Sequence, residues 1–303
     1  MTPFRLILSD VFVNGTFGST ASVSQNHLRV GCSKSSDWVG VDPGTPPHKR
    51  STNYYPGVER FVEASEASLW VALEGEGVPV LLVSGGPGCC DYLEPVARLL
   101  TGHAQTVRFD ARGCGRSSPV SEYTIEASLA DLERIRGFMG VDRWIVAGHS
   151  AGADLALAYA IEFPERLHGV VAISGGRLVD DRSWHAAYAA ARDAGLEREI
   201  DYTYAPNMDA NRALNAAWKA YCRRPGLWRD IAQIQVPALF IYGAKDIRPS
   251  WPIQQVAALI PNAELFMLET AGHNLWLTHA EELGEALRGF VSKFSDPVFP
   301  RGS

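Results

Sequence analysis

The stretch Trp144–Ala160, WIVAGHSAGADLALAYA, decides the fold. It opens on apolar residues, two of them β-branched (Ile145, Val146), and closes on apolar residues at helical spacing. Between them lies Gly148-His149-Ser150-Ala151-Gly152. A strand handing over to a helix through one hydroxyl flanked by glycines predicts a sharp turn with Ser150 at its tip. The glycines let strand and helix pass close together, and the N–H groups opening the helix point at whatever the serine attacks.

Outward from this turn, the chain alternates. RFVEASE and SLWVALEG (from Arg60 and Ser68) read as an antiparallel hairpin, and VPVLLVSGG (from Val78) as a buried strand. DYLEPVARLL, from Asp91, reads as a short helix, with Asp91 and Glu94 at capping-box spacing. QTVRFDARG is a strand ending in a loop. TIEASLADLERIRGFMG is an amphipathic helix whose Ile125, Leu129, Leu132, Ile135 and Met139 share one face, ended by Gly140. LHGVVAISG, VPALFIYGAKD and AELFMLE are further strands. A last helix is expected from Thr278, with Glu281 completing a second capping box.

Alternating strands and helices predict an α/β fold, a mostly parallel sheet with helices on both faces. Residues 56–176 and 234–296 form this core. Residues 177–233 hold no strand pattern but carry aromatics among alanines and arginines, so they predict a short helical cap over the carboxyl edge of the sheet. Residues 1–55, rich in Ser, Gly, Thr, Pro and Asn, read as a poorly ordered extension. Residues 297–303, ending FPRGS, read as a tail with the look of an engineered linker remnant.

A serine hydroxyl is a poor nucleophile at neutral pH and needs a base, which in turn needs an anion to orient it. In parallel α/β sheets such groups gather on loops after the strands. Asp246 follows ALFIYGAK, and His273 follows AELFMLETAG. The order Ser150, Asp246, His273 is the order that accompanies a nucleophile elbow. His149, His168, His185 and His279 sit less well for a base, and Glu269 lies too close to His273 along the chain to serve as its acid. Two oxyanion donors are expected, the amides of Ala151 and of Gly86 in SGGPGCCDY. Gly85, His149, Trp184, His185, Tyr188, Trp218 and Trp276 are expected around the substrate.

The chain has 303 residues, 46% hydrophobic and 20% charged, which is ordinary globular composition. Net charge is −6 and no basic cluster stands out, so no nucleic-acid partner is expected. No apolar run approaches the ~20 residues of a membrane span. Near the N-terminus Asp10 breaks the apolar run after Arg5, so secretion is not expected and the Asn14-Gly15-Thr16 sequon carries no weight. Five cysteines without C-x-x-C spacing fit neither a disulfide framework nor a zinc site, and predict reduced thiols and a cytoplasmic location; acyl transfer by a serine, a histidine and an aspartate implies no metal or organic cofactor. The expected partner is a small molecule whose carbonyl a serine can attack, with the oligomeric state open.

Together these segments resemble the α/β-hydrolase superfamily across about residues 58–294. SGGPG (from Ser84) is similar to the HGGPG loop of its proline-iminopeptidase-like branch, and DARGCGRS (Asp110–Ser117) resembles that branch's D-x-R-G-x-G-x-S turn. GHSAG and GHNLW match its nucleophile and histidine segments. The resemblance implies that the Asp110–Ser117 turn supports the elbow loop and is not catalytic. Three features depart from the peptidases: Ser84 stands where they carry His, Ala151 where they carry Trp, and the cap is short. A free substrate amine would have to be held by Glu197, Glu199, Asp201 or Asp209. The chain also resembles serine esterases of antibiotic-resistance gene cassettes, including macrolide esterases, which implies ester or macrolide-lactone cleavage. A ligand receptor on the same fold, a cofactor-free peroxidase and a carbon–carbon bond hydrolase stay open as rivals.

Overall fold

The computed structural model describes residues 57–197 and 200–295. The expected extension 1–55, the tail 297–303 and Glu199 lie outside the described residues. Eight strands form one sheet: β1 (Val58–Ala64), β2 (Ala67–Glu74), β3 (Val78–Val83), β4 (Ala104–Phe109), β5 (Trp144–His149), β6 (Leu167–Ile173), β7 (Ala238–Gly243) and β8 (Ala263–Leu268). The helices are α1 (Glu94–Arg98), α2 (Ile125–Met139), α3 (Ala151–Glu162), α4 (Arg182–Asp193), α5 (Met208–Cys222), α6 (Leu227–Ala232), α7 (Trp251–Leu259) and α8 (Ala280–Ser292).

The strand order is β1-β2-β4-β3-β5-β6-β7-β8. β1 and β2 form the expected antiparallel hairpin, β2 runs antiparallel to β4, and the pairings from β4 to β8 are parallel. From β3 the chain leaves toward β4, whereas from β5 it leaves toward β6 on the other side. Chains departing in opposite directions open a crevice above the carboxyl ends of β3 and β5, where α/β proteins bind ligands. Ser84–Gly88 and Ser150 begin at those two strand ends.

Both faces of the sheet are buried. In β3, Leu81 and Val83 join one core with Leu129 and Leu132 of α2 and Leu157 of α3, while Val80 and Leu82 join another with Val96 of α1 and Leu287 and Phe290 of α8. The same alternation runs through β7, where Phe240 and Tyr242 face one core and Leu239 and Ile241 the other. That is the period-two signature of a doubly covered strand. α2 begins where the sequence implies: the Thr124 side chain accepts from Ala127 N–H at 3.1 Å, and Gly140 ends the helix at φ 65°.

Neither capping box forms. α1 starts after Leu93, and the buried Asp91 instead pairs with Arg108 of β4 while accepting from Leu93 N–H at 3.0 Å. A buried guanidinium outcompetes the helix end for that carboxylate. α8 starts at Ala280, and the Thr278 hydroxyl turns to the ring of His279 at 2.8 Å. Between β6 and β7 the described residues carry α4, α5 and α6.

Candidate active site

Ser150 sits between β5 and α3 with φ 56° and ψ −124°. A non-glycine residue pays roughly 1–3 kcal/mol for such a conformation, which persists only where surrounding structure enforces it. The enforcing bonds are Ser150 N–H to the Ile173 carbonyl and Ala153 N–H to the Ser150 carbonyl, each 2.9 Å. The flanking glycines are required by contact. A Cβ on Gly148 would lie 2.0 Å from the Gly152 carbonyl oxygen, and one on Gly152 would lie 2.1 Å from that of Val83. As the first residue of α3, Ala151 carries an N–H with no helical carbonyl to receive it.

His273 Nδ1 lies 2.6 Å from Asp246 Oδ2. The other carboxylate oxygen accepts from the backbone N–H of Arg248 at 3.0 Å and from its Nη1 at 3.1 Å. Burial works against the charge on Asp246, but His273 and then Arg248 outweigh it, and the carboxyl sits below its ordinary range. Asp246 is therefore an anion aimed at the imidazole. The ring of His273 packs beside that of His149, the residue preceding Ser150, with centroids 4.7 Å apart. The Ser150 hydroxyl carries no hydrogen bond to His273 in this structure.

The loop after β3 approaches the elbow closely. A Cβ on Gly85 would meet Ser150 Cβ at 2.5 Å and the Tyr92 hydroxyl at 2.7 Å. Gly85 N–H donates to the Tyr92 oxygen at 2.6 Å, so Gly86 is the next amide along this loop. Gly86 adopts φ 57°, and its carbonyl accepts from Cys89 N–H at 2.8 Å, closing the turn. A cavity of about 60 Å³ borders Gly85, Gly86, Ala151, Leu155, Leu214 and Trp218. A second, of about 230 Å³, borders His273, Arg248, Glu197, Lys245 and Thr270. Each has one acidic neighbour bound by an arginine. Asp131 holds Arg112 through two bonds of 2.7 and 2.8 Å, and Glu197 holds Arg248 at 2.5 Å.

Of the expected pocket residues, Gly85 and Trp218 border the first cavity. Three others make contacts elsewhere. Trp184 is buried, donates from Nε1 to the Pro249 carbonyl at 2.8 Å and stacks on Tyr188. His185 is paired with Asp180 at 3.0 Å. The bond from Trp184 fastens α4 to the loop after β7. His149 is also buried, with both ring nitrogens within hydrogen-bond reach of protein atoms. Trp276 packs on it at 4.8 Å and on Tyr92 at 6.1 Å.

The Asp110–Ser117 turn braces a different loop from the one the resemblance implies. Asp110 Oδ1 accepts from Asp91 N–H at 2.6 Å, so the turn holds the chain just after Cys89 and Cys90. Arg116 saturates the other oxygen of Asp110, and its guanidinium lies 3.1 Å from the centre of the Trp70 ring. Sequence reasoning also missed Asn207 and Asn211, which open α5. Asn207 N–H donates to Gly88 O at 2.8 Å, its Nδ2 to Gly113 O at 2.9 Å, and Asn211 Nδ2 to Pro87 O at 2.7 Å. These bonds seat the helical region on the Gly-rich loop. The asparagine at a helix start was the one signal visible in the chain.

Residues 78–198 match the family model described as alpha/beta hydrolase fold. The proline iminopeptidase of Neisseria gonorrhoeae is 40% identical over 106 residues, covering 32% of this chain and 32% of that protein. The match thus spans about a third of the relative's length. RutD of Caulobacter segnis, named for carbamate hydrolysis, is 25% identical over 241 residues, covering 70% of this chain and 90% of its own. Among solved structures, a hydrolase from Pseudomonas aeruginosa superposes with a TM-score of 0.63 at 22% identity, over 77% of this chain and 98% of that one. Strand order, the strained serine between β5 and α3 and these matches together show that the chain has the α/β-hydrolase fold.

Proposed function

We propose that this protein is a serine hydrolase that cleaves a carboxylic ester or lactone by two-step acyl transfer. The observation that carries the reading is the Asp246–His273 pair at 2.6 Å, held beside an elbow that forces Ser150 to φ 56°. The reaction requires the Ser150 hydroxyl to reach His273 Nε2, a contact of the kind that tightens on substrate binding. His273 takes the proton while Ser150 attacks the carbonyl carbon. The amides of Ala151 and Gly86 receive the oxyanion. His273 returns the proton to the departing alcohol, then activates the water that releases the acid. Asp246 holds the imidazole in the tautomer that can accept at Nε2. Free thiols at Cys89, Cys90, Cys114 and Cys222 fit a reducing, cytoplasmic setting.

The neutral-substrate reading rests on the acidic groups. Recognition of a free substrate amine needs an unspent carboxylate, and Asp131 and Glu197 beside the two cavities are each committed to an arginine. Asp209 pairs with Arg212, and Asp201 is exposed. The 40% identity to proline iminopeptidases over 106 residues favours the second reading, an aminopeptidase. A substrate panel separates them: short aryl esters, a 16-membered macrolide lactone and proline anilide, each with the wild type and Ser150→Ala. Ester or lactone turnover without anilide turnover supports the esterase. A gain of one water by the macrolide selects the lactonase form, and anilide turnover alone overturns both.

A further inference from the structure

Three loops must hold their spacing for acyl transfer: the Gly-rich loop after β3, the elbow after β5 and the His273 loop after β8. One chain of hydrogen bonds runs through all three. Gly85 N–H donates to the Tyr92 oxygen at 2.6 Å, and Tyr92 O lies 2.8 Å from His149 Nδ1. His149 Nε2 lies 3.3 Å from the His273 carbonyl oxygen. Donor chemistry fixes the direction. A carbonyl only accepts, so His149 Nε2 bears the proton; Nδ1 of the neutral ring then accepts, and Tyr92 O–H donates to it.

We propose that Tyr92 and His149 form a hydrogen-bonded spacer of fixed polarity that sets the distance between the oxyanion loop and the His273 loop, with Tyr92 as a positioning residue for the reaction. This rests on the hydrolase reading above. The chain has no second polarity. Reversing it would require the Gly85 amide to accept or the His273 carbonyl to donate, and neither can. Nor does it titrate where the enzyme works. Burial first, and then His273, push His149 well below its ordinary range, and burial drives the Tyr92 phenol well above its own. The rings are wedged in place. Tyr92 stacks on Trp276 at 6.1 Å and meets Tyr202 edge-on at 5.7 Å, while Trp276 closes on His149 at 4.8 Å. The spacing has no slack, because Gly85 already lacks room for a Cβ against the Tyr92 hydroxyl and Ser150 Cβ. Tyr92 touches no reacting atom; its effect passes through Gly85 and His149.

Tyr92→Phe removes the hydroxyl and keeps the ring. With p-nitrophenyl acetate, kcat is expected to fall about 10²-fold, the scale of a 1 Å misplacement, with KM moved less than about threefold. Fluorophosphonate labelling of Ser150 should slow in parallel while the melting transition stays cooperative. In the wild type, ¹⁵N NMR should show His149 as the neutral Nε2–H tautomer from pH 5 to 8. If Tyr92→Phe does not fold, His149→Asn, which keeps an acceptor facing Tyr92, should retain more kcat than His149→Ala. A kcat within twofold of wild type for Tyr92→Phe, equal rates for the two His149 variants, or an Nδ1–H tautomer overturns the spacer. A wild type that neither labels nor hydrolyses any ester overturns the hydrolase reading instead, and the tautomer still decides whether the chain has the polarity assigned.

Discussion

Arg248 and Asp246 are joined twice at one atom: Asp246 Oδ1 accepts from the backbone N–H of Arg248 at 3.0 Å and from its Nη1 at 3.1 Å. That leaves Oδ2 to His273 at 2.6 Å. The same guanidinium reaches Glu197 at 2.5 Å and lies 5.0 Å from the centre of the Tyr188 ring, so one side chain ties the acid of the relay to the helical region.

Arg248→Met keeps much of the packing and removes the charge. Asp246 then loses a cation that favours its ionised form, and its pKa rises. The expected result is a loss of about tenfold in kcat/KM at neutral pH that deepens as pH falls, read from pH–rate profiles on a p-nitrophenyl ester. A loss independent of pH would assign Arg248 a packing role only. The sign for stability follows from the same shift. A carboxyl held below its unfolded value of 3.8 stabilises the fold fully above that pH. The contribution disappears as pH falls through the lower, folded value, so Asp246→Asn should lose sensitivity in the window below 3.8.

Asp154, in the first turn of α3, has the opposite sign. Burial raises its carboxyl to about 7, against the pull of Arg177 and of backbone N–H donors from Gly176 to Leu178. Between 3.8 and about 7 the folded protein holds a proton that the unfolded chain has released. Stability from this group is therefore greatest at low pH and falls as pH rises to 7. Asp154→Asn should flatten the melting temperature across pH 4.5–7.5. An unchanged slope would contradict the assignment.

The latch between α5 and the Gly-rich loop predicts a coupled effect. Asn207 caps α5, its Oδ1 accepting from Asp209 and Ala210 N–H at 3.0 and 3.1 Å, while its Nδ2 holds Gly113 O. Asn207→Ala is expected to cost about 1 kcal/mol of stability, as for other caps, measured by denaturant unfolding. Asn211→Ala removes the bond to Pro87 O and the one that its Oδ1 accepts from Asn215 Nδ2 at 3.0 Å, leaves the helix cap in place, and should lower kcat more than it lowers stability.

Gly148→Ala tests the elbow by sterics alone. Its Cβ would fall 2.0 Å from a backbone oxygen that cannot move without unwinding the start of α3. Overpacking of this kind costs at least about 1–3 kcal/mol, and soluble yield and melting temperature should both drop. A variant as stable as wild type would mean that β5 and α3 do not pass as closely as described.

Much of this was legible in the chain because it depends on local spacing. The period-two runs of β3 and β7, the helix face of α2 and the glycines around Ser150 each carry their reason within a few residues. What failed depended on partners far along the chain. Asp91 looks like a helix cap until Arg108, on another strand, claims it. Nothing near Trp184 or Tyr188 in the chain says that the Pro249 carbonyl and the Arg248 guanidinium fold against them. Tyr92 carried no signal at all: nothing local says that its hydroxyl meets Gly85 seven residues back and His149 on a different strand.

The central claim is that Ser150 is the nucleophile, and intact-mass analysis after fluorophosphonate treatment tests it most directly. The account predicts a single adduct, mapped to Ser150, absent in Ser150→Ala together with a loss of at least about 10²-fold in ester turnover. An adduct on another residue, or Ser150→Ala hydrolysing esters at a rate near wild type, would contradict it.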